Sequence, residues 1–339
     1  MSLGEGIPIP ILCARNLPPG GGFSLPRFLY RQNQKTLQSD TWPQESDTLW
    51  VDLGPEDKDS VQEVVRHLYQ AHPKVIERLL EGHNHRPNLL VEDDAVSFML
   101  ALIPAHDADG PLRHLSFIVG QHFLVTAHLD DPSKVVDGAF EYVLKNHLMD
   151  EGVDFALYQL LDRHVVELRL LANDLDRQFE DLHRRLLTHP YANMSPDILA
   201  LRKRAMAAKH ILDPEGAIIE LLNSKGFPYV SKKNHPYFQD VSFLMDEVVA
   251  EVQAIRDGLA EMVEAYTSLQ SNEINKVMWF LTIISTLALP ATTIASIYGM
   301  NFINMHELHW RYGYDYSLVM MVFISIVLLL WVRIHRRRG

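Results

Sequence analysis

Steps of three and four residues between Asn275 and Gly299 pick out Asn275, Met278, Thr282, Ser285, Leu289, Thr292, Ser296 and Gly299, a heptad seam dominated by small or polar residues. Leu281 lies beside it. Such side chains offer neutral oxygens, and the seam holds no carboxylate and no histidine. Hard divalent cations take oxygen shells and Mg2+ gives up its water reluctantly, so a neutral lining suits an ion recognised through its hydration waters. Met278, Leu281 and Leu289 would add apolar constrictions that block conduction by dewetting. The same Ser and Thr hydroxyls could instead bond their own helix or a neighbouring one, and the residue types alone leave both readings open.

The seam belongs to a run that must cross a membrane if it is to work in this way. Val277 to Tyr298 contains no charged residue over 22 positions, and about 20 apolar residues span the hydrocarbon core as a helix. A second run, Tyr316 to Val332, is 17 residues long, at the short end of that range. Two helices cannot enclose a hydrophilic path, so transport requires several copies around an axis. Pro290 removes one backbone bond within the first run, tolerable where neighbours or water satisfy the freed carbonyl. Lys276 precedes the first run and Arg333, Arg336, Arg337 and Arg338 follow the second, whereas Arg311 alone lies between them. This asymmetry places both termini in the cytoplasm.

No charged-then-apolar leader precedes residue 275, so the long N-terminal part is expected to be cytoplasmic. Cys13 is the single cysteine, which excludes an internal disulfide framework and a cysteine-based metal cluster and suits a reducing compartment. The formal net charge of -12 is uneven: residues 1 to 275 hold 25 Lys/Arg against 41 Asp/Glu, a net of -16. Such a field repels nucleic acid and concentrates cations. No phosphate-binding loop, Gly-x-Ser-x-Gly or His-Glu-x-x-His occurs, so no enzyme activity is expected.

Residues 1–47 form an N-terminal segment that is partly flexible, with a Pro18 to Gly22 loop. Residues 48–150 alternate short elements and read as an α/β domain: strands at Thr48–Leu53, Asn88–Val91, Val96–Ile103, Leu115–Val119 and Phe123–Ala127, helices at Val61–Ala71 and His72–Glu81. Residues 151–235 read as long helices interrupted near His189-Pro190 and again between Gly226 and Pro236. From there one helix over 236–298 is predicted, about 95 Å long at 1.5 Å per residue, an acidic stalk that continues into the first span. Its soluble half carries Asp240, Asp246, Glu247, Glu251, Asp257, Glu261, Glu264 and Glu273 against Arg256 and Lys276. An outer loop over 299–315, the second span at 316–332 and a basic tail at 333–339 complete the chain.

At the outer end of the first run stands Tyr298-Gly299-Met300-Asn301-Phe302, then Met305-His306-Glu307-Leu308-His309-Trp310 and Gly313-Tyr314. This order of motifs, with the basic tail behind it, resembles the CorA family of magnesium and cobalt channels. Arg86-Pro87, Pro236-Tyr237-Phe238-Gln239-Asp240-Val241 and Phe280-Leu281-Thr282-Ile283-Ile284 are similar to family sequence as well. The resemblance implies a funnel-shaped homopentamer in the bacterial inner membrane, with an α/β/α cytoplasmic domain, long helices, two C-terminal transmembrane helices, and the first span lining the pore. It puts Gly299, Met300 and Asn301 at the selectivity site, with Asn301 forming an outer ring of carboxamides. Thr292, Leu289, Leu281, Met278 and Asn275 fall on its pore-facing positions, and Glu307 on the acidic position that concentrates cations at the mouth. Asp240 matches an aspartate that binds a regulatory divalent ion at a subunit interface, with Asp107 and Asp109 as candidate partners.

His306 stands where the family commonly has proline, and His306 and His309 are three apart, a pattern able to bind a softer ion such as Zn2+ or Ni2+. The ZntB zinc transporters share the architecture and supply the alternative, a proton-coupled zinc importer. Neither span holds a carboxylate or histidine for an intramembrane proton relay, which favours a passive channel. The expected partners are therefore further copies of the chain, the lipid bilayer and divalent cations, which serve as substrate and regulatory ligand, with no resident cofactor and no nucleic acid.

Overall fold

The computed structural model describes residues 26–32, 35–43, 46–80, 87–102, 113–129, 133–300 and 310–336. The chain divides into two compact units, Met1–Arg185 with Met194–Glu261, and Leu186–Asn193 with Met262–Gly339.

In the first unit the strands are β1 (Arg27–Gln32), β2 (Lys35–Ser39), β3 (Thr48–Leu53), β4 (Asn88–Val91), β5 (Ala95–Leu102), β6 (Arg113–Gly120) and β7 (Phe123–Ala127). They form one sheet in the order β2-β1-β3-β7-β6-β5-β4. Every neighbour is antiparallel except β3 and β7. A parallel pair needs a crossover, and here it contains α1 (Val61–Leu68), α2 (Pro73–Leu80) and the hairpins of β4 to β6.

Side chains alternate across β3. Leu49, Val51 and Leu53 join Val61, Val65, Val75 and Leu79 of α1 and α2 in one core. On the opposite face the Trp50 ring lies 5.1 Å from Phe140 of α3 (Lys134–Lys145). Helices therefore cover both faces, the expected α/β/α arrangement. The helices α1 and α2 begin and end within a few residues of the predicted ones. The strands β1 and β2 fall in the N-terminal segment for which the sequence pattern marks no element, and α3 likewise follows no predicted boundary.

Asp52, on the Trp50 face, is a buried charge held from both neighbouring strands. It stands opposite Arg27 on β1 and Thr126 on β7. Arg27 Nε donates to Asp52 Oδ2 at 3.1 Å and Thr126 Oγ1 to Asp52 Oδ1 at 2.6 Å, while His128 Nε2 lies 3.4 Å from the latter. Burial pushes this carboxyl up, but His128, Thr126 and Arg27 together outweigh it and hold the group below its ordinary value.

Three long helices follow: α4 (Val153–Thr188), α5 (Ser195–Leu222) and α6 (His235–Tyr298). In α6, Phe238, Val241, Met245, Val248, Val252, Ile255, Leu259 and Met262 are buried at steps of three and four, the seam of a helix packed in a bundle. A Cβ on Gly258 would lie 2.7 Å from the Phe179 ring, so this glycine lets α4 and α6 approach closely. The helices α5 and α4 also tie to the sheet. The strand β4 covers only Val96 to Met99 of β5. Farther along β5, Ala101 donates its amide to Glu215 Oε1 of α5 at 2.6 Å. Glu215 Oε2 in turn faces His164 Nε2 of α4 at 2.9 Å, both side chains being almost wholly buried.

Candidate functional site

The second unit contains the membrane-crossing part of α6 and α7 (Gly313–Arg336). Both pass the length and composition expected of a span, and only 11% and 6% of their most apolar stretches are buried. The core helix of a water-soluble protein would hide most of such a surface. What these helices expose must be covered by lipid or by further copies of the chain.

Each hides one narrow stripe. On α6 it includes Ile283, Thr286, Pro290 and Ile294, and on α7 Gly313, Ser317, Ile324 and Ser325. At about 100° per residue, the polar seam lies roughly a third of a turn from the hidden stripe of α6. Asn275, Met278, Leu281, Thr282, Ser285, Leu289, Thr292, Ser296, Gly299 and Met300 are all exposed.

The seam threonines bond to their own helix. Thr282 Oγ1 donates to the Met278 carbonyl at 2.9 Å, and Thr292 Oγ1 lies 3.0 Å from the carbonyls of Ala288 and Leu289. The helix-bonding reading of these residues is thus correct as far as it goes. It does not exhaust them, because a hydroxyl that has donated its proton keeps two acceptor lone pairs. An exposed oxygen of that kind accepts from water, including water whose protons are polarised by a cation. Pro290 sits in the hidden stripe, so the break in the hydrogen-bond ladder faces protein.

Gly299 ends α6, its amide donating to the Ala295 carbonyl at 2.9 Å. Asn301, His306, Glu307 and His309 lie outside the described residues, as do Asp107 and Asp109. Asp240 is exposed near the start of α6, and with Asp162 it raises the hydroxyl pKa of Tyr158, for which burial is the larger cause. Among the described residues no group of three or more His, Cys, Asp or Glu side chains is placed to hold a metal ion.

The sequence pattern missed one contact beside the first span: Lys276 Nζ donates to the Tyr191 hydroxyl at 2.9 Å. The two residues are 85 apart in the chain, and only the His189-Pro190 break hinted that the α4–α5 connection ends there.

A mostly antiparallel sheet between helices, three long helices and two exposed apolar spans define a membrane protein with a large soluble domain. Residues 45–337 match the family described as CorA-like Mg2+ transporter protein. The chain belongs to that family of metal-ion transporters. It is 26% identical over 290 residues to the cobalt/magnesium transport protein CorA of Thermotoga maritima, covering 84% of this chain and 82% of that one. The complete CorA magnesium transporter structure from Methanocaldococcus jannaschii superposes with a TM-score of 0.72 at 19% identity, covering 93% of this chain and 98% of the other. The ZntB cytoplasmic domain from Vibrio parahaemolyticus superposes with a TM-score of 0.59 at 13% identity, covering 75% of this chain and 100% of that domain.

Proposed function

We propose that the chain is one subunit of a homopentameric channel in the bacterial inner membrane that conducts hydrated Mg2+, with Co2+ and Ni2+ as further substrates. Both termini lie in the cytoplasm. Asn275, Met278, Leu281, Thr282, Ser285, Leu289, Thr292 and Ser296 line the pore, Gly299, Met300 and Asn301 form its outer selectivity site, and Glu307 raises the cation concentration at the mouth.

One observation carries this reading most: the neutral seam of α6 is exposed along its length, with its threonine protons turned into the helix. Five such seams around an axis would present oxygen acceptors to the water shell of an ion without competing for the ion itself. Tight rings at Met278, Leu281 and Leu289 would empty of water and stop conduction. The driving force is the membrane potential, about 2.3 kcal/mol per charge per 100 mV and twice that for a divalent ion.

A second reading, zinc import of the ZntB type, is favoured by the likeness of the soluble unit to a ZntB cytoplasmic domain. Proton coupling needs a titratable group in the path, and Val277–Tyr298 and Tyr316–Val332 contain no carboxylate or histidine. Flux of Mg2+, Co2+, Ni2+ and Zn2+ into proteoliposomes, with potential and pH gradient clamped separately, tests both. Uptake that follows the potential and ignores the pH gradient supports the channel. Uptake that stops when the pH gradient collapses at constant potential replaces it with the zinc importer.

A further inference from the structure

The helical hairpin of α4 and α5 ends in a tip, Leu186–Asn193, that belongs to the same compact unit as the spans. It is strapped to α6 at Tyr266 and at Lys276, and Gln270 of α6 supports the Tyr266 hydroxyl. Tyr266 Oη donates to the Ala192 carbonyl at 3.3 Å, Gln270 Nε2 to Tyr266 Oη at 3.1 Å, and Lys276 Nζ to Tyr191 Oη at 2.9 Å. The Lys276 ammonium also lies 5.1 Å from the centre of the Tyr191 ring, a cation–π distance. The strap thus runs toward the membrane and finishes at the last charged residue before the first span.

Depth follows from residues independent of the tip. Trp279 is three positions beyond Lys276 on α6, and Trp331 and Arg333 stand near the matching end of α7; all three are exposed. Tryptophan with Lys or Arg at the ends of spans marks the headgroup layer, where an amphipathic ring has an apolar body in the acyl boundary and a polar edge in water. Three helical residues advance about 4.5 Å, so Tyr191 lies within one turn of that layer. Leu187 and Tyr191 are 73% and 53% exposed there, while Leu182 and Leu186 of the same helix end are buried. A lone exposed leucine is ordinary on a surface in water. Beside a tyrosine bonded to the entry lysine of a span, it has an apolar phase within reach.

We propose that this tip is a membrane-interface anchor, with the Leu187 and Tyr191 side chains seated in the lipid headgroup layer and Lys276 held between Tyr191 and the lipid phosphates. The proposal rests on the reading of α6 and α7 as spans. It gives the Leu186–Asn193 tip a contact with the bilayer of its own, besides the spans.

Site-directed spin labelling of the full-length protein in phospholipid nanodiscs tests it. With Cys13 replaced by serine, single cysteines are introduced as Leu187→Cys, as Phe323→Cys in the middle of α7, and as Leu199→Cys, an exposed position on α5 in the other unit. Power saturation compares collision with oxygen, which partitions into lipid, and with a water-soluble nickel chelate. The expected oxygen-to-nickel ratio at Leu187 is several-fold above that at Leu199 and below that at Phe323. A ratio at Leu187 equal to that at Leu199, with Phe323 reading lipid, overturns the anchor and leaves the spans intact. A Leu187 label shielded from both reagents and broadened by neighbouring labels, relieved on dilution with unlabelled subunits, overturns it in favour of a subunit contact. An aqueous reading at Phe323 overturns the span assignment and the anchor together.

Discussion

The two halves of α6 follow one spacing with opposite contents. From Phe238 to Met262 the positions three and four apart are apolar and buried against α4 and α5, and the carboxylates lie outside them. From Asn275 to Gly299 the same spacing selects mostly small and polar residues, and outside the hidden stripe the rest is mainly apolar and exposed. In water, burying an apolar stripe drives a helix to a partner at about 25 cal/mol per Å2. In lipid there is no such gain, and the stripe that stands out is the one lipid does not solvate. A heptad pattern therefore identifies a helix face but not its partner; the solvent around the rest of the helix decides that.

The sharpest division between the halves comes from substitutions that should affect one property only. Asn301→Ala removes the carboxamide proposed for the outer selectivity site, two positions beyond Gly299 in the sequence. Cation uptake is expected to fall by at least tenfold, with the oligomer intact by size-exclusion chromatography. Wild-type uptake and selectivity from an assembled mutant would remove Asn301 from the conduction path.

Glu215→Ala should do the converse. Its carboxylate bonds the Ala101 amide and faces His164 in a buried setting. Leaving a buried hydrogen-bonding group without its partner typically costs about 1 to 3 kcal/mol, and here the Ala101 amide and the His164 ring both lose one. The soluble unit should melt many degrees lower, while Thr282→Ala, on the exposed seam, should leave the melting temperature nearly unchanged and alter flux. A thermal melt of both variants in one detergent checks the contrast.

Acid should also act on the soluble unit, through the sheet. Because the Asp52 carboxyl is held below its ordinary value of 3.8, its interactions contribute fully above that value. That contribution is lost as pH falls from 3.8 through the still lower folded value, since the unfolded chain takes up the proton first. Asp52→Asn should accordingly flatten the fall in stability below about pH 4, read by denaturant titration across pH 3 to 6, and an unchanged slope would mean that Asp52 is not responsible.

The elements with a repeating pattern were legible in the sequence, and the contacts between distant residues were not. The helix α6 was predicted from Pro236 to Tyr298 and runs from His235 to Tyr298, because periodicity and the scarcity of breakers are local signals. The edge strand β2 and its neighbour β1 carry few buried residues, Phe28, Leu29 and Thr36, without a sustained alternation. The pairing of β2 with β1 and of β1 with β3 depends on a partner, not on their own alternation. The links of Glu215 to His164 and of Tyr191 to Lys276 join residues 51 and 85 positions apart. No window of local sequence contains them. The seam itself was readable because a polar residue in an apolar helix is conspicuous.

The smallest expected effect concerns Asp240, where the two halves would have to communicate. It is exposed at the start of α6 and, with Asp162, bears on the Tyr158 hydroxyl, so two carboxylates approach one surface site. Burial also raises the Asp162 carboxyl above its ordinary value, against the opposing charge of Arg163. In the proposed pentamer of acidic subunits, such groups would repel one another across interfaces and loosen a tight symmetric arrangement. A divalent ion that neutralises them binds the tight arrangement better and shifts the population toward it. On the proposed pore, the rings at Met278 and Leu281 would then narrow and dewet, so rising internal Mg2+ would close it. Removing one carboxylate should weaken this feedback without abolishing flux: with Asp240→Ala, the internal Mg2+ needed for half inhibition should rise a few-fold. Flux measured against internal Mg2+ in both proteins decides it, and superimposable inhibition curves would make Asp240 a solvated surface charge.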